Sequence, residues 1–241
     1  MVHEEDAEFL RLALRSRNSA TQQAALSTAA SQGLDGEHAL LEALSEATGW
    51  TRGLFVAALG DVRRAGPADA VLRAVLEVRG PGTRDLRCAA LISLAKRLGS
   101  AATPEFISGL GQSDTGVRGY AAICLAAFGD ARAWEAVTEY LGSHRRPKRD
   151  ADSQDVLTYL LRHVHTQDVT ATVELIRDRW PVLEREQVSA PFVLEAECVT
   201  EWVARVWPGV EPGGPPRPEI PSDLEVRLGS PEGAPLFSAS S

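Results

Sequence analysis

Cysteine is scarce in this sequence, and long apolar runs are missing. Cys88, Cys124 and Cys198 are odd in number, far apart and set in apolar helical contexts, which argues against a disulfide framework and for small buried side chains in a reducing compartment. No stretch approaches the roughly 18 uninterrupted apolar residues of a membrane span. The acidic start, MVHEEDAEF, has no apolar signal segment. These absences predict a cytoplasmic protein with no membrane partner.

Lysine is nearly absent as well. Only Lys96 and Lys148 are lysine among the 25 basic residues, so the other 23 are arginine. With the richness in alanine and glycine, this indicates the GC-rich coding bias seen in many bacteria. The net charge of -8 disfavours general nucleic-acid binding, because phosphates select a basic surface.

Aromatic residues make up only 6% of the chain, and β-branched residues form no long strand-like runs. Alanine and leucine supply most of the apolar fraction of 44%, and alanine is the best helix former. At 241 residues the chain can bury a substantial core without staples. The composition therefore favours a helical globular protein.

An internal repeat determines the fold prediction. Its clearest unit, residues 113–141, reads SDTGVRGYAAICLAAFGDARAWEAVTEYL. Asp114 can cap a first helix, Gly129 ends it, and Asp130 begins a second. Because the turn between the helices is short, the two must lie antiparallel. The first helix has apolar residues at three-to-four spacing: Val117, Ala121, Cys124, Leu125 and Phe128.

This unit resembles the HEAT repeat, in particular the variety named after phycobilin lyases, whose pattern is D-x-x-V-R-x-x-A-A-x-x-L-x-x-x-G-D-x-x-A. Similar units precede it, with Arg52, Arg87 and Arg118 at spacings of 35 and 31 residues and Gln22 in a weaker first copy. The resemblance implies an all-α, right-handed α-solenoid of antiparallel helical hairpins. The pattern is matched by Asp114, Val117, Arg118, Ala121, Ala122, Leu125, Gly129, Asp130 and Ala133.

The sequence predicts two regions. Residues 1–207 form the HEAT-like solenoid, with a capping helix over residues 2–17, well-matched repeats over 18–141 and degenerate repeats over 153–207. Residues 208–241, rich in proline, glycine and serine, are expected to be a disordered tail. The predicted core contains Leu54, Ala58, Leu72, Leu91, Leu94, Ala121, Leu125, Trp134, Val137 and Leu160.

Catalytic and metal-binding patterns are missing from the sequence. It has no G-x-S-x-G elbow and no phosphate-binding glycine loop. His163 and His165 lie two residues apart, so a helix would point their rings to different faces. We therefore predict no catalytic residue, no metal ligand and no cofactor. For the repeat arginines, the resemblance implies a structural role, bonding a loop acid such as Asp85 or Asp114.

Two sets of charged residues are candidates for partner binding. The second helices are expected to begin near Glu37, Asp69, Glu105 and Glu135, and one acid per hairpin could form a ladder that attracts a basic protein. The same acids could instead only complement the helix dipole. A basic loop, His144 to Asp150, holds Arg145, Arg146 and Arg149. It fits either a solvated loop or a contact with an acidic partner.

The function predicted from these features is a non-catalytic scaffold or adaptor that binds proteins through its concave face. The alternative is a HEAT-like enzyme, either a lyase-type protein or one acting on nucleic acid as alkyl-base DNA glycosylases do. Such glycosylases use tryptophan, aspartate and arginine in a basic groove, and the acidity of this chain opposes that alternative. The sequence gives no prediction of oligomeric state.

Overall fold

The computed structural model describes residues 2–143 except residue 63, together with Val156, Tyr159, Leu160 and His163. Every regular element in this part of the chain is helical. It divides into two compact units, the first ending at Leu98 and the second beginning at Gly99. The all-α prediction is therefore confirmed for the described residues. The degenerate repeats predicted over 153–207, apart from Val156, Tyr159, Leu160 and His163, and the tail over 208–241 lie outside them.

The first unit contains six α-helices. They are α1 (Val2–Leu14), α2 (Ser19–Ser31), α3 (Leu34–Glu46), α4 (Trp50–Asp61), α5 (Ala68–Leu76) and α6 (Arg84–Leu98). Asn18 begins α2 by accepting a hydrogen bond from the Thr21 amide at 3.0 Å. The predicted capping helix over residues 2–17 is α1, which ends at Leu14.

Small residues allow the helices of the first unit to approach closely. A Cβ atom at Gly36 of α3 would lie 1.8 Å from the Ala29 carbonyl oxygen of α2, so only glycine fits there. Ser93 of α6 is fully buried and donates a hydrogen bond to the Val56 carbonyl of α4 at 2.7 Å. α2, α4 and α6 pack side by side in chain order around fully buried leucines, Leu40, Leu59, Leu72, Leu91 and Leu94.

The second unit contains α7 (Thr103–Leu110), α8 (Thr115–Phe128) and α9 (Trp134–Ser143), with 3-10 turns at Gly99–Ala102 and Ala131–Ala133. Asp114 begins α8 through a hydrogen bond from the Val117 amide at 3.1 Å. The core of this unit is formed by Phe106, Ala121, Leu125, Phe128, Val137 and Leu160.

The repeat spacing predicted the helix starts correctly. Glu37, Asp69, Glu105 and Glu135 lie in the first turns of α3, α5, α7 and α9. Asp130 begins the second helix of its pair through a 3-10 turn, which then leads into α9. Of the ten predicted core residues, Leu54 and Trp134 are half-buried and the other eight are buried. Trp134 is exposed more than expected because it is the first residue of α9.

Candidate functional site

A groove in the second unit runs between α7 and α9 and encloses about 410 Å³. We call it the α7–α9 groove. Both bordering helices are the second helices of their pairs, the helices expected to carry binding. Its lining combines apolar side chains with the charged side chains of Arg118 and Glu139. Its lining residues are Ile107, Leu110, Gly111, Gln112, Arg118, Ala136, Glu139 and Tyr140.

Arg118 of α8 fixes one edge of the α7–α9 groove. Its Nη1 donates to the carbonyls of Gln112 at 3.2 Å and Ser113 at 3.1 Å, which closes the turn that follows α7. These two contacts hold the turn through its backbone carbonyls. The predicted loop acid, Asp114, caps α8 through its side chain.

The exposed acidic side chains beside the α7–α9 groove lie on α9. Glu135 and Glu139 are both exposed and lie four residues apart, so they share one side of the helix. Glu105 of α7 is half-buried, and its Oε2 is inaccessible to solvent. Glu105 therefore offers less to a partner than Glu135 or Glu139, the latter of which was not among the predicted binding residues.

Glu37 and Asp69 do not face solvent, so their predicted role in contacting a basic partner is wrong for the folded chain. Both belong to a buried ion cluster in the first unit, centred on Arg97 of α6. Arg97 Nε donates to Asp69 Oδ1 at 2.6 Å, and Nη2 donates to Glu37 Oε1 at 3.2 Å. The side chains of Arg97 and Glu37 are 0% exposed.

The backbone completes the Arg97 cluster. Arg97 Nη1 donates to the carbonyls of Leu59 at 2.9 Å and Val62 at 2.8 Å, at the end of α4. Glu37 Oε1 accepts a hydrogen bond from the Ala68 amide at 2.7 Å, at the start of α5. A Cβ atom at Gly66 would lie 2.8 Å from Glu37 Oε1, so glycine makes room for the carboxylate. The cluster therefore joins α3, α4, α5 and α6.

Arg87, another arginine of the repeat pattern, does not bond Asp85 within the described residues. Arg87 is buried, and its Nε and Nη2 have no hydrogen-bond partner in the part of the chain that the structure describes. Asp85 accepts from the neighbouring Arg84 Nε at 3.0 Å on the surface. In the part of the chain that the structure describes, the expected bond between a repeat arginine and Asp85 is therefore not formed.

A second polar network holds the turn at Gly129 and Asp130. The Arg132 guanidinium bonds the Asp130 carboxylate and lowers its pKa below the ordinary range. The Tyr159 hydroxyl donates to the Asp130 carbonyl at 2.6 Å, and burial raises the pKa of Tyr159 far above its usual value. His163 Nε2 donates to the Gly129 carbonyl at 3.0 Å, since a carbonyl can only accept. The network stabilises the turn that leads into α9.

Several residues considered in the sequence lie outside the described residues: Arg145, Arg146 and Arg149 of the basic loop, together with His165 and Cys198. Cys88 and Cys124 are buried. Among residues the structure describes, no three His, Cys, Asp or Glu side chains are grouped as metal ligands would be. Within the same part of the chain, no helix combines the length and apolarity needed to cross a membrane.

Comparison with known proteins adds no further assignment. No protein-family model matches this chain, and no curated protein matches it significantly.

Proposed function

We propose that this protein is a HEAT-like α-solenoid that acts as a non-catalytic scaffold and binds a protein segment in the α7–α9 groove. The observation that carries the proposal is the groove itself, which lies between two successive second helices, is partly lined by apolar side chains and adjoins two exposed carboxylates on α9. The alternation of helices at HEAT-like spacing supports the solenoid. We further propose that the protein is cytoplasmic.

The chemistry of the groove defines the ligand. Ile107 and Ala136 offer half-buried apolar surface, and Tyr140 adds an aromatic ring of the kind enriched at protein interfaces. Glu135 and Glu139 on the adjoining face of α9 would attract lysine or arginine. The expected ligand is therefore a segment with an apolar anchor next to basic residues. This mixture of apolar and acidic groups favours a protein ligand over a nucleic acid, which would be repelled by both carboxylates.

Peptide selection followed by charge reversal tests this function. Peptides selected from a random display library on the whole protein should be enriched in an apolar residue flanked by lysine or arginine. Reversal at Glu135→Lys/Glu139→Lys should weaken their binding by about tenfold, roughly 1.4 kcal/mol, because two exposed attractions become repulsions. Added salt should weaken wild-type binding, since exposed charges are screened.

Two further variants give this test its controls. The reversal Glu77→Lys/Asp85→Lys changes the net charge equally at two exposed acids of the first unit and should leave binding unchanged. Reversal of Arg145 and Arg146 examines the basic loop. If the loop variant loses the selected peptides while the α9 variant retains them, the α7–α9 groove is not the binding site.

A further inference from the structure

Helix α1 carries large apolar side chains on its outer face as well as on its inner face. Leu10 and Leu14 are buried against the first unit, whereas Phe9 is 72% exposed and Leu12 is 63% exposed. Phe9 and Leu12 lie three residues apart, so they form one apolar patch on the solvent side of the helix. The folded unit does not use this patch. Adjoining exposed apolar groups of this kind mark interaction surfaces.

The charges of α1 are divided between its two ends. The first half holds Glu4, Glu5, Asp6 and Glu8, and the second half with the following turn holds Arg11, Arg15 and Arg17. A helix with this distribution is complementary to a second copy of itself in the antiparallel orientation. In the parallel orientation, by contrast, like charges would meet and repel each other.

Intramolecular ion pairs leave part of this charge available. Arg11 pairs with Glu42 at 2.9 Å, and Arg15 pairs with Glu46 at 2.8 Å, which fastens α1 to α3. Within the residues the structure describes, Asp6, Glu8 and Arg17 are exposed and make no ion pair. Asp6 and Glu8 thus lie on the N-terminal side of the apolar patch, and Arg17 lies on its C-terminal side; none of the three makes an ion pair among the described residues.

We propose that the outer face of α1 is a self-association surface, on which Phe9 and Leu12 pack antiparallel against the same residues of a second copy of this chain. A two-fold axis between Phe9 and Leu12 would place the acidic half of each α1 opposite the Arg17 end of the other. Such an isologous contact closes after two copies. It is independent of the α7–α9 groove and of the proposed scaffold function.

The small size of the patch sets the strength of the dimer. Two large side chains per copy bury less than the roughly 800 Å² per partner of a standard interface, which places the dimer in the weak class. Half-dissociation is expected at about 100 µM, equivalent to about 5.5 kcal/mol of association free energy.

Sedimentation equilibrium of the full chain measures this association. The weight-average mass of the wild type should rise from 25.9 kDa towards twice that value with concentration, and no further. Phe9→Ser/Leu12→Ser should weaken dimerisation by about tenfold or more, since it removes the apolar contact. Trp50→Ser is the matched control, because Trp50 is 72% exposed on α4 and its loss should not alter the mass.

Charge exchange between two variants tests the antiparallel orientation. Asp6→Lys/Glu8→Lys alone and Arg17→Glu alone should each dimerise less than the wild type, because each places like charges together. An equimolar mixture of the two variants should recover dimerisation. The lysines introduced at positions 6 and 8 of one variant then face the glutamate introduced at position 17 of the other. Any one of three results would overturn the proposal. They are a wild type that stays monomeric, a Trp50→Ser variant that loses as much dimerisation as Phe9→Ser/Leu12→Ser, and a mixture that dimerises no more strongly than its components.

Discussion

Replacement of Arg97 by methionine is expected to lower the free energy of unfolding by about 3–5 kcal/mol, because it leaves buried carboxylates without their cation. The single guanidinium of Arg97 bonds both Glu37 and Asp69 together with two carbonyls at the end of α4. Methionine retains most of the side-chain volume, so the loss reports charge and hydrogen bonds more than packing. Urea denaturation followed by helical circular dichroism measures the change.

The neighbouring Lys96 provides a matched control. Its Nζ pairs with Asp61 at 2.7 Å, and the Asp61 side chain is 48% exposed. Water can therefore solvate Asp61 when the lysine is removed, and Lys96→Met should cost less than about 1 kcal/mol. If Lys96→Met and Arg97→Met destabilise the protein equally, the Arg97 cluster is not the buried centre that the geometry indicates.

A double-mutant cycle distinguishes an interacting cluster from independent side chains. In the Arg97→Met background, Glu37→Gln removes one of the charges that the first change left unpaired. The double variant should therefore be more stable than the sum of the single effects predicts, with a coupling of about 0.5–3 kcal/mol. Additive effects would show that Glu37 and Arg97 do not share an electrostatic environment.

The positions of Glu37 and Asp69 show where sequence reasoning succeeds and where it ends. Capping residues and the spacing of apolar positions are local signals, and they placed each acid in the first turn of its helix correctly. An acid there can complement the helix dipole, face a partner or pair with a distant cation. Glu37 pairs with a residue 60 positions away, and no local pattern carries that information. Gly66 makes room for the carboxylate, and the need for glycine at this position follows from the fold and not from any local sequence pattern.

Only some features of the α7–α9 groove could likewise be predicted from the sequence. Repeat spacing predicts that α7 and α9 are second helices, and it places Glu135 at the start of the latter. The half-burial of Ile107 and Tyr140, however, depends on how α7, α8 and α9 pack. The same limit applies to Arg118. The repeat pattern predicted its structural role, whereas its carbonyl partners follow from the conformation of the turn at Gln112 and Ser113.

Replacement of Leu125 by alanine should destabilise the protein by about 2–5 kcal/mol, because it removes apolar contacts and leaves a cavity. Leu125 is 1% exposed in the last turn of α8, and α7 packs directly against that helix. Hydrogen exchange should show the loss of protection in the amides of α7, α8 and α9, whose shared core the cavity weakens. The change therefore tests the register that the repeat spacing assigned to the second unit.

Leu34→Ala is the matched control for Leu125, because it makes the same chemical change at a leucine that is 39% exposed at the start of α3. Its cost should be less than about 1 kcal/mol, since part of the side chain already contacts water. The difference between the two leucines isolates the contribution of burial from that of helix propensity, which changes in the same direction at both sites. Equal costs would place Leu125 outside the core and require a different register for α8.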